Sequence, residues 1–165
     1  MGRGDDEAQA IPRPTARVLA LDPDGRLLLM QGLTTSAPGV WFTPGGGVES
    51  GESHEDAARR EFWEETSHRL RTLGPVVWTR SHAWRASTGR WYRSDERFFV
   101  ARVPRFDPAF ACSDDAEQVS IGEMRWWAIS EMASSGETFA PRRLAVLLAP
   151  ILAGSEPDAP LAVGL

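Results

Sequence analysis

The chain has no lysine and a single cysteine, Cys112, among its 165 residues. One thiol excludes an internal disulfide, so packing alone must hold the fold. No apolar run approaches the ~20 residues that cross a bilayer. The longest, 144–153, is about half that length and contains Pro150, so no membrane association is expected. The opening Met1-Gly2-Arg3-Gly4-Asp5-Asp6-Glu7 lacks the basic and then apolar profile of a secretory leader, which makes the cytoplasm the expected location. A formal net charge of −5 argues against broad binding to nucleic-acid phosphates, and no stable nucleic-acid complex is expected. All 18 basic side chains are arginine, a composition that reads as codon usage in a GC-rich genome. It also leaves many donors suited to bidentate contact with phosphate.

What is present is an ordinary globular composition, 42% hydrophobic and 25% charged, enough for one domain with a real core. Its densest chemistry lies between Gly46 and His68. Ser53 followed three residues later by Asp56 is a capping signal, and the Ala-, Glu- and Arg-rich run after it predicts a helix from about His54. Glu61, Glu64 and Glu65 stand at i, i+3 and i+4, so their carboxylates share one helical face, beside a face of Ala58, Phe62 and Thr66 suited to the core. Like charges so placed repel, and a divalent cation is the partner that relieves them. Hard oxygen ligands select Mg²⁺ or Mn²⁺. Solvated Glu-Glu pairs are common on surface helices. The preceding Trp41-Phe42-Thr43-Pro44-Gly45-Gly46-Gly47 shifts the balance, because it joins an apolar strand end to three glycines immediately ahead of the capped helix.

Gly46, five residues, Glu52, seven residues, then Arg60-Glu61-Phe62-Trp63-Glu64-Glu65-Thr66-Ser67-His68 resembles the Nudix box, G-x5-E-x7-R-E-U-x-E-E-x-G-U, where U is a bulky apolar residue. Every specified position is met except the last two, filled here by Ser67 and His68. The resemblance implies an α/β chain with the Nudix-type α/β/α sandwich and a mixed central sheet. It implies a metal-dependent hydrolase that cleaves a diphosphate linkage in a nucleoside diphosphate joined to another moiety. It further implies a metal bound by Glu61, Glu64, Glu65 and the carbonyl of Gly45, and a Glu52–Arg60 pair that locks the loop to the helix. In many members a further acidic residue reaches the metal from a loop before a late Trp-bearing strand; Asp114, Asp115, Glu117 and Glu123 are the candidates, and Glu117 is preferred as the fourth catalytic carboxylate.

The remaining chain is read as follows. Residues 1–13 form a disordered arm, 14–153 the domain, and 154–165 a loose tail. Strands over 16–21 and 26–31 flank the turn Asp22-Pro23-Asp24-Gly25; strands over 73–83 and 91–103 flank Ser87-Thr88-Gly89; another covers 124–129. Ser130 caps a short helical turn. Pro141 opens a last helix in which Leu144, Leu147, Leu148, Ile151 and Leu152 face the sheet.

Trp78, Arg80, His82 and Trp84 alternate along one strand and share a face. Arg80 and Trp84 are the substrate-binding candidates, a phosphate donor beside a stacking surface, with ordinary sheet packing as the other explanation. The Pro of many ADP-ribose hydrolases falls near His82, the Tyr of diadenosine-polyphosphate hydrolases near Trp84, and the upstream motif of coenzyme A hydrolases is absent, so none of these subclasses is supported. The expected partner is a small-molecule nucleotide, and a homodimer is left open. A binding or regulatory module without turnover is the alternative to an enzyme, since the box ends irregularly. Ser67 either takes the left-handed conformation in a frayed end, with His68 in solvent, or the helix runs on and brings His68 onto the carboxylate face.

Overall fold

A computed structural model describes residues 9–33, 39–86, 88–111 and 121–164. The elements in order are β1 (Ile11–Leu21), β2 (Leu27–Gly32), β3 (Val40–Phe42), β4 (Gly45–Gly47), α1 (His54–Thr66), β5 (Val76–Arg85), β6 (Trp91–Arg102), β7 (Ile121–Trp127), α2 (Ile129–Ser134), β8 (Thr138–Ala140), α3 (Leu144–Leu152) and β9 (Leu161–Ala162). Among the described residues the strands form one mixed sheet in the order β8-β3-β2-β1-β6-β5-β9, with β4 on β1 and β7 on β2. β1 runs parallel to β6 over its whole length, whereas it meets β2 only at Leu21–Leu27. The sheet therefore forks, and β4 takes the vacated edge of β1, setting Gly45, Gly46 and Gly47 opposite Arg17, Ala16 and Thr15.

Helices cover both faces. On one, Ala57, Ala58 and Phe62 of α1 pack on Ala16, Val18 and Ala20 of β1, and the small side chains let helix and sheet approach closely. On the other, Leu144, Leu148 and Ile151 of α3 and Met132 of α2 close over Leu19, Leu21, Leu29 and Trp127. Alternation along β1 sends Arg17 to this second face, beyond the part that α3 covers.

Several boundaries differ from the sequence reading. β1 starts at Ile11, so residues 11–13 are part of the sheet and not of an arm. Its prolines, Pro12 and Pro14, are two apart and point the same way, and the carbonyl of Pro14 accepts from Val48 N, on the side away from β6. The missing N–H groups thus leave the β1–β6 ladder intact. The tail is also engaged: Leu161 and Ala162 pair with Trp78 and Thr79, and Val163 is buried after donating to Thr79 O. α2 begins one residue before Ser130, with Ala128 N held by the Glu131 carboxylate at 2.7 Å. α3 begins at Leu144, after a turn closed by Leu144 N to Pro141 O.

Candidate active site

α1 starts as its sequence dictates. Ser53 is the cap, its Oγ accepting from Asp56 N at 3.1 Å. The helix ends at Thr66, and Ser67 takes the left-handed conformation at φ 57° while its N–H bonds to Trp63 O. Continuation of the helix is thereby excluded, but His68 is not in solvent either. Its ring stacks on Phe106 at 4.1 Å with an interplanar angle of 6°, and Phe106 in turn meets Phe62 and Trp126 edge-on. Burial lowers the imidazole pKa below its ordinary value, and Arg71 adds to the effect. The backbone after Phe106 then crosses the helix end, where Ala109 N and Ala111 N donate to Thr66 O and Glu64 O.

The glycine turn and the carboxylates meet at the fork. Gly45, at φ 136°, lies so close to β1 that a β-carbon would stand 2.1 Å from Ala16 O. Its N–H donates to Glu65 Oε2 at 2.7 Å from the helix side. Its carbonyl accepts from Arg17 on the opposite side at 2.8 Å. Gly46 covers the Glu61 carboxylate. Arg60 knits these parts together: its Nε and one terminal nitrogen each reach Glu52 at 2.9 Å, while the other lies 2.8 Å from Glu61 Oε1 and 3.4 Å from Glu64 Oε2. It also donates to Gly47 O at 2.9 Å. The bidentate hydrogen bonds from Arg60 pull the Glu52 carboxyl down to about 2, against a smaller opposing effect of burial.

Gly45, Glu52, Arg60, Glu61, Glu64 and Glu65 are thus brought together as neighbours. The donor set suits a hard divalent cation in kind: all oxygen, three carboxylates of one helix beside a carbonyl-lined turn. As placed, the carboxylates are occupied with Arg60 and with Gly45 N, and among the described residues no three acidic, His or Cys side chains converge as a metal cluster. Glu117, Asp114 and Asp115 lie outside the described residues, and Glu123 sits exposed in β7.

Arg80, His82 and Trp84 do share a face of β5. Trp78, before them, is core. Arg80 is largely buried and points its Nε at Glu96 Oε2, 2.5 Å away. Trp84 donates to Ser94 Oγ at 2.9 Å and stacks on Tyr92, with Arg13 over its ring. His82 Nδ1 is buried without a hydrogen-bond partner among the described residues, 4.0 Å from Glu96 Oε2, and burial lowers its pKa.

Sequence reasoning missed Arg17 and Glu96. Glu96 is 1% exposed and accepts from Arg17 Nε at 3.0 Å as well as from Arg80. Burial alone would push its carboxyl up, but the attraction of Arg17 and the hydrogen bond and charge of Arg80 outweigh it and hold the group below its ordinary value. The available signal was a charge at an inward position of each strand, Arg17 between Ala16 and Val18 and Glu96 two residues before Phe98.

The model of the NUDIX domain family matches residues 11–148. The chain is 36% identical over 86 residues to the nucleoside triphosphatase NudI of Escherichia coli O139:H28, a match that spans 52% of this chain and 57% of that protein. The same identity and coverage hold for NudI of Shigella flexneri. Among solved structures, a MutT NUDIX hydrolase from Burkholderia pseudomallei superposes with a TM-score of 0.62 at 23% identity, covering 82% of this chain and 95% of that one. The NUDIX domain of Shewanella oneidensis NrtR, solved with ADP ribose, gives 0.64 at 18% identity, covering 92% and 99%. With the family model spanning most of the chain and the fold shared, the chain belongs to the Nudix family.

Proposed function

We propose that the protein is a metal-dependent hydrolase that cleaves a diphosphate linkage in a nucleoside diphosphate joined to another moiety. Nudix enzymes generally use divalent metals, and here Mg²⁺ or Mn²⁺ would be held by Glu61, Glu64, Glu65 and the carbonyl of Gly45. The observation that carries the reading is the close seating of the glycine turn on the helix carboxylates, Gly45 N on Glu65 and Gly46 against Glu61. A bound divalent cation would neutralise the diphosphate oxygens and make water a better nucleophile at neutral pH.

The chain's own residues have separate tasks. Arg60 holds Glu52, Glu61 and Gly47 in fixed relation, so that turn and helix keep one geometry. One carboxylate of the helix, or Glu117 by its sequence position, takes a proton from the attacking water as oxygen adds to phosphorus and the phosphoanhydride bond breaks. Arg80 and Trp84 are proposed to face the substrate. Arg80 acts from within its ion pair with Glu96, and the Trp84–Tyr92 stack offers a surface for a base.

The NudI relatives are named as nucleoside triphosphatases, whose substrates contain the same phosphoanhydride linkage, and the Shewanella neighbour was solved with ADP ribose. The test is a panel of nucleoside triphosphates, nucleotide sugars, ADP-ribose, dinucleoside polyphosphates and NADH, incubated with Mg²⁺ or Mn²⁺ and followed by phosphorus NMR. Cleavage of a phosphoanhydride in at least one compound is expected. Binding without turnover across the panel would instead identify a binding module.

A further inference from the structure

We infer that Glu96 is a positioning residue for the candidate metal site, acting through Arg17 on the Gly45 carbonyl; the inference rests on the metal-dependent reading above. Gly45 is gripped from two sides. Glu65 of α1 accepts from its N–H, and Arg17 of β1 donates to its carbonyl at 2.8 Å and toward the Thr43 carbonyl at 3.4 Å. Of these two arms, the sheet-side one is anchored in a desolvated carboxylate: Glu96, 0% exposed at its side chain, holds Arg17 Nε at 3.0 Å and is itself held by Arg80.

Packing does not require these charges. The same face continues into Leu19, Phe98 and Trp78, all apolar and buried, and a buried ion pair is in general replaceable by apolar side chains without loss of stability. What the charged chain supplies is a guanidinium fixed in direction. Arg17 Nε stays on Glu96 while a terminal nitrogen reaches the turn, and the planar fork fixes the carbonyl it touches.

A carbonyl oxygen has two lone pairs, so Gly45 O can accept from Arg17 and still face a cation. A bare guanidinium at that point would repel the cation. Glu96, shared between Arg17 and Arg80, offsets part of that charge, so Arg17 can orient the carbonyl with less opposition to the metal. The role is specific to Glu96 and Arg17, because Arg60 acts on the neighbouring Gly47 carbonyl from the helix side.

The test measures Mn²⁺ affinity of the full chain without nucleotide, by loss of the free-ion EPR signal, together with kcat, KM and Tm. Glu96→Gln removes the compensating charge and keeps the shape. Arg17→Lys keeps the charge beside Glu96 but cannot bridge it and Gly45, and it stands in should Glu96→Gln fail to fold. Both variants are expected to weaken Mn²⁺ binding about tenfold and to lower kcat with KM within about twofold. Wild-type Mn²⁺ affinity in Arg17→Lys and in folded Glu96→Gln would overturn the inference, as would a loss confined to KM, which would assign Arg17 to the substrate. Glu64→Gln is run in parallel: if it loses Mn²⁺ while the other two keep it, the positioning role alone fails. If it too binds as wild type, the metal reading itself fails.

Discussion

Gly46 lies directly against the carboxylate of Glu61: a β-carbon at position 46 would stand 2.4 Å from Glu61 Cδ and 2.5 Å from both of its oxygens. The obstacle is the far end of a flexible side chain, so Gly46→Ala should fold while pushing Glu61 aside. We expect kcat to fall on the order of 10- to 100-fold with little change in Tm. Gly45→Ala differs in kind, because there the β-carbon meets the backbone of Ala16 and φ is 136°. A stability loss of at least about 2 kcal/mol is expected, measured by urea unfolding. Equal effects of the two substitutions on both quantities would contradict this division.

Ser67 occupies the left-handed position at the end of α1 where glycine is at ease. Ser67→Gly should relieve about 1–2 kcal/mol of backbone strain. Part of that is offset by the greater freedom of glycine in the unfolded chain, roughly 0.5–1 kcal/mol. A modest rise in Tm with unchanged kcat is the expected result, and a fall in Tm would show that the hydroxyl contributes more than the strain costs.

His68 makes a pH-dependent contribution through its stack on Phe106. Burial lowers its pKa in the fold, so its neutral form is favoured there. Its stabilising contribution is present above the ordinary value of 6.5 and is lost as pH falls through the lower value of the folded state. His68→Phe keeps a stacking ring without a titrating group. The fall in Tm between about pH 7.5 and pH 5.5 should therefore be smaller in the variant than in the wild type. His54 and His82, also shifted downward by burial, retain their part of the fall in both proteins. Parallel Tm curves would refute a contribution from His68.

What could be read from the sequence follows the range of the forces involved. The span of α1, its Ser53 cap and its shared carboxylate face depend on neighbours within a turn or two, and the structure reproduces them. The family resemblance implied a pairing of Arg60 with Glu52, and the two side chains lie in hydrogen-bond contact at 2.9 Å. Arg17 and Glu96 were not legible, because their contact joins residues 79 positions apart and exists only once β1 and β6 pair in register. The end of α1 was undecided for the same reason: Phe106, which captures His68, comes from a later segment. Composition misled at the termini. Prolines at 12 and 14 suggested an arm, but their common orientation away from β6 admits them to a strand.

The most direct test of the metal-dependent reading is kcat of Glu64→Gln and Glu65→Gln at saturating Mg²⁺ or Mn²⁺, on whichever compound of the panel the wild type cleaves. Each substitution removes a carboxylate charge and preserves shape, and the amide oxygen at 65 can still accept from Gly45 N. We expect a loss of at least about 100-fold in each, with Tm close to that of the wild type. Wild-type turnover in both variants would contradict the assignment of these carboxylates to a metal-dependent hydrolytic site.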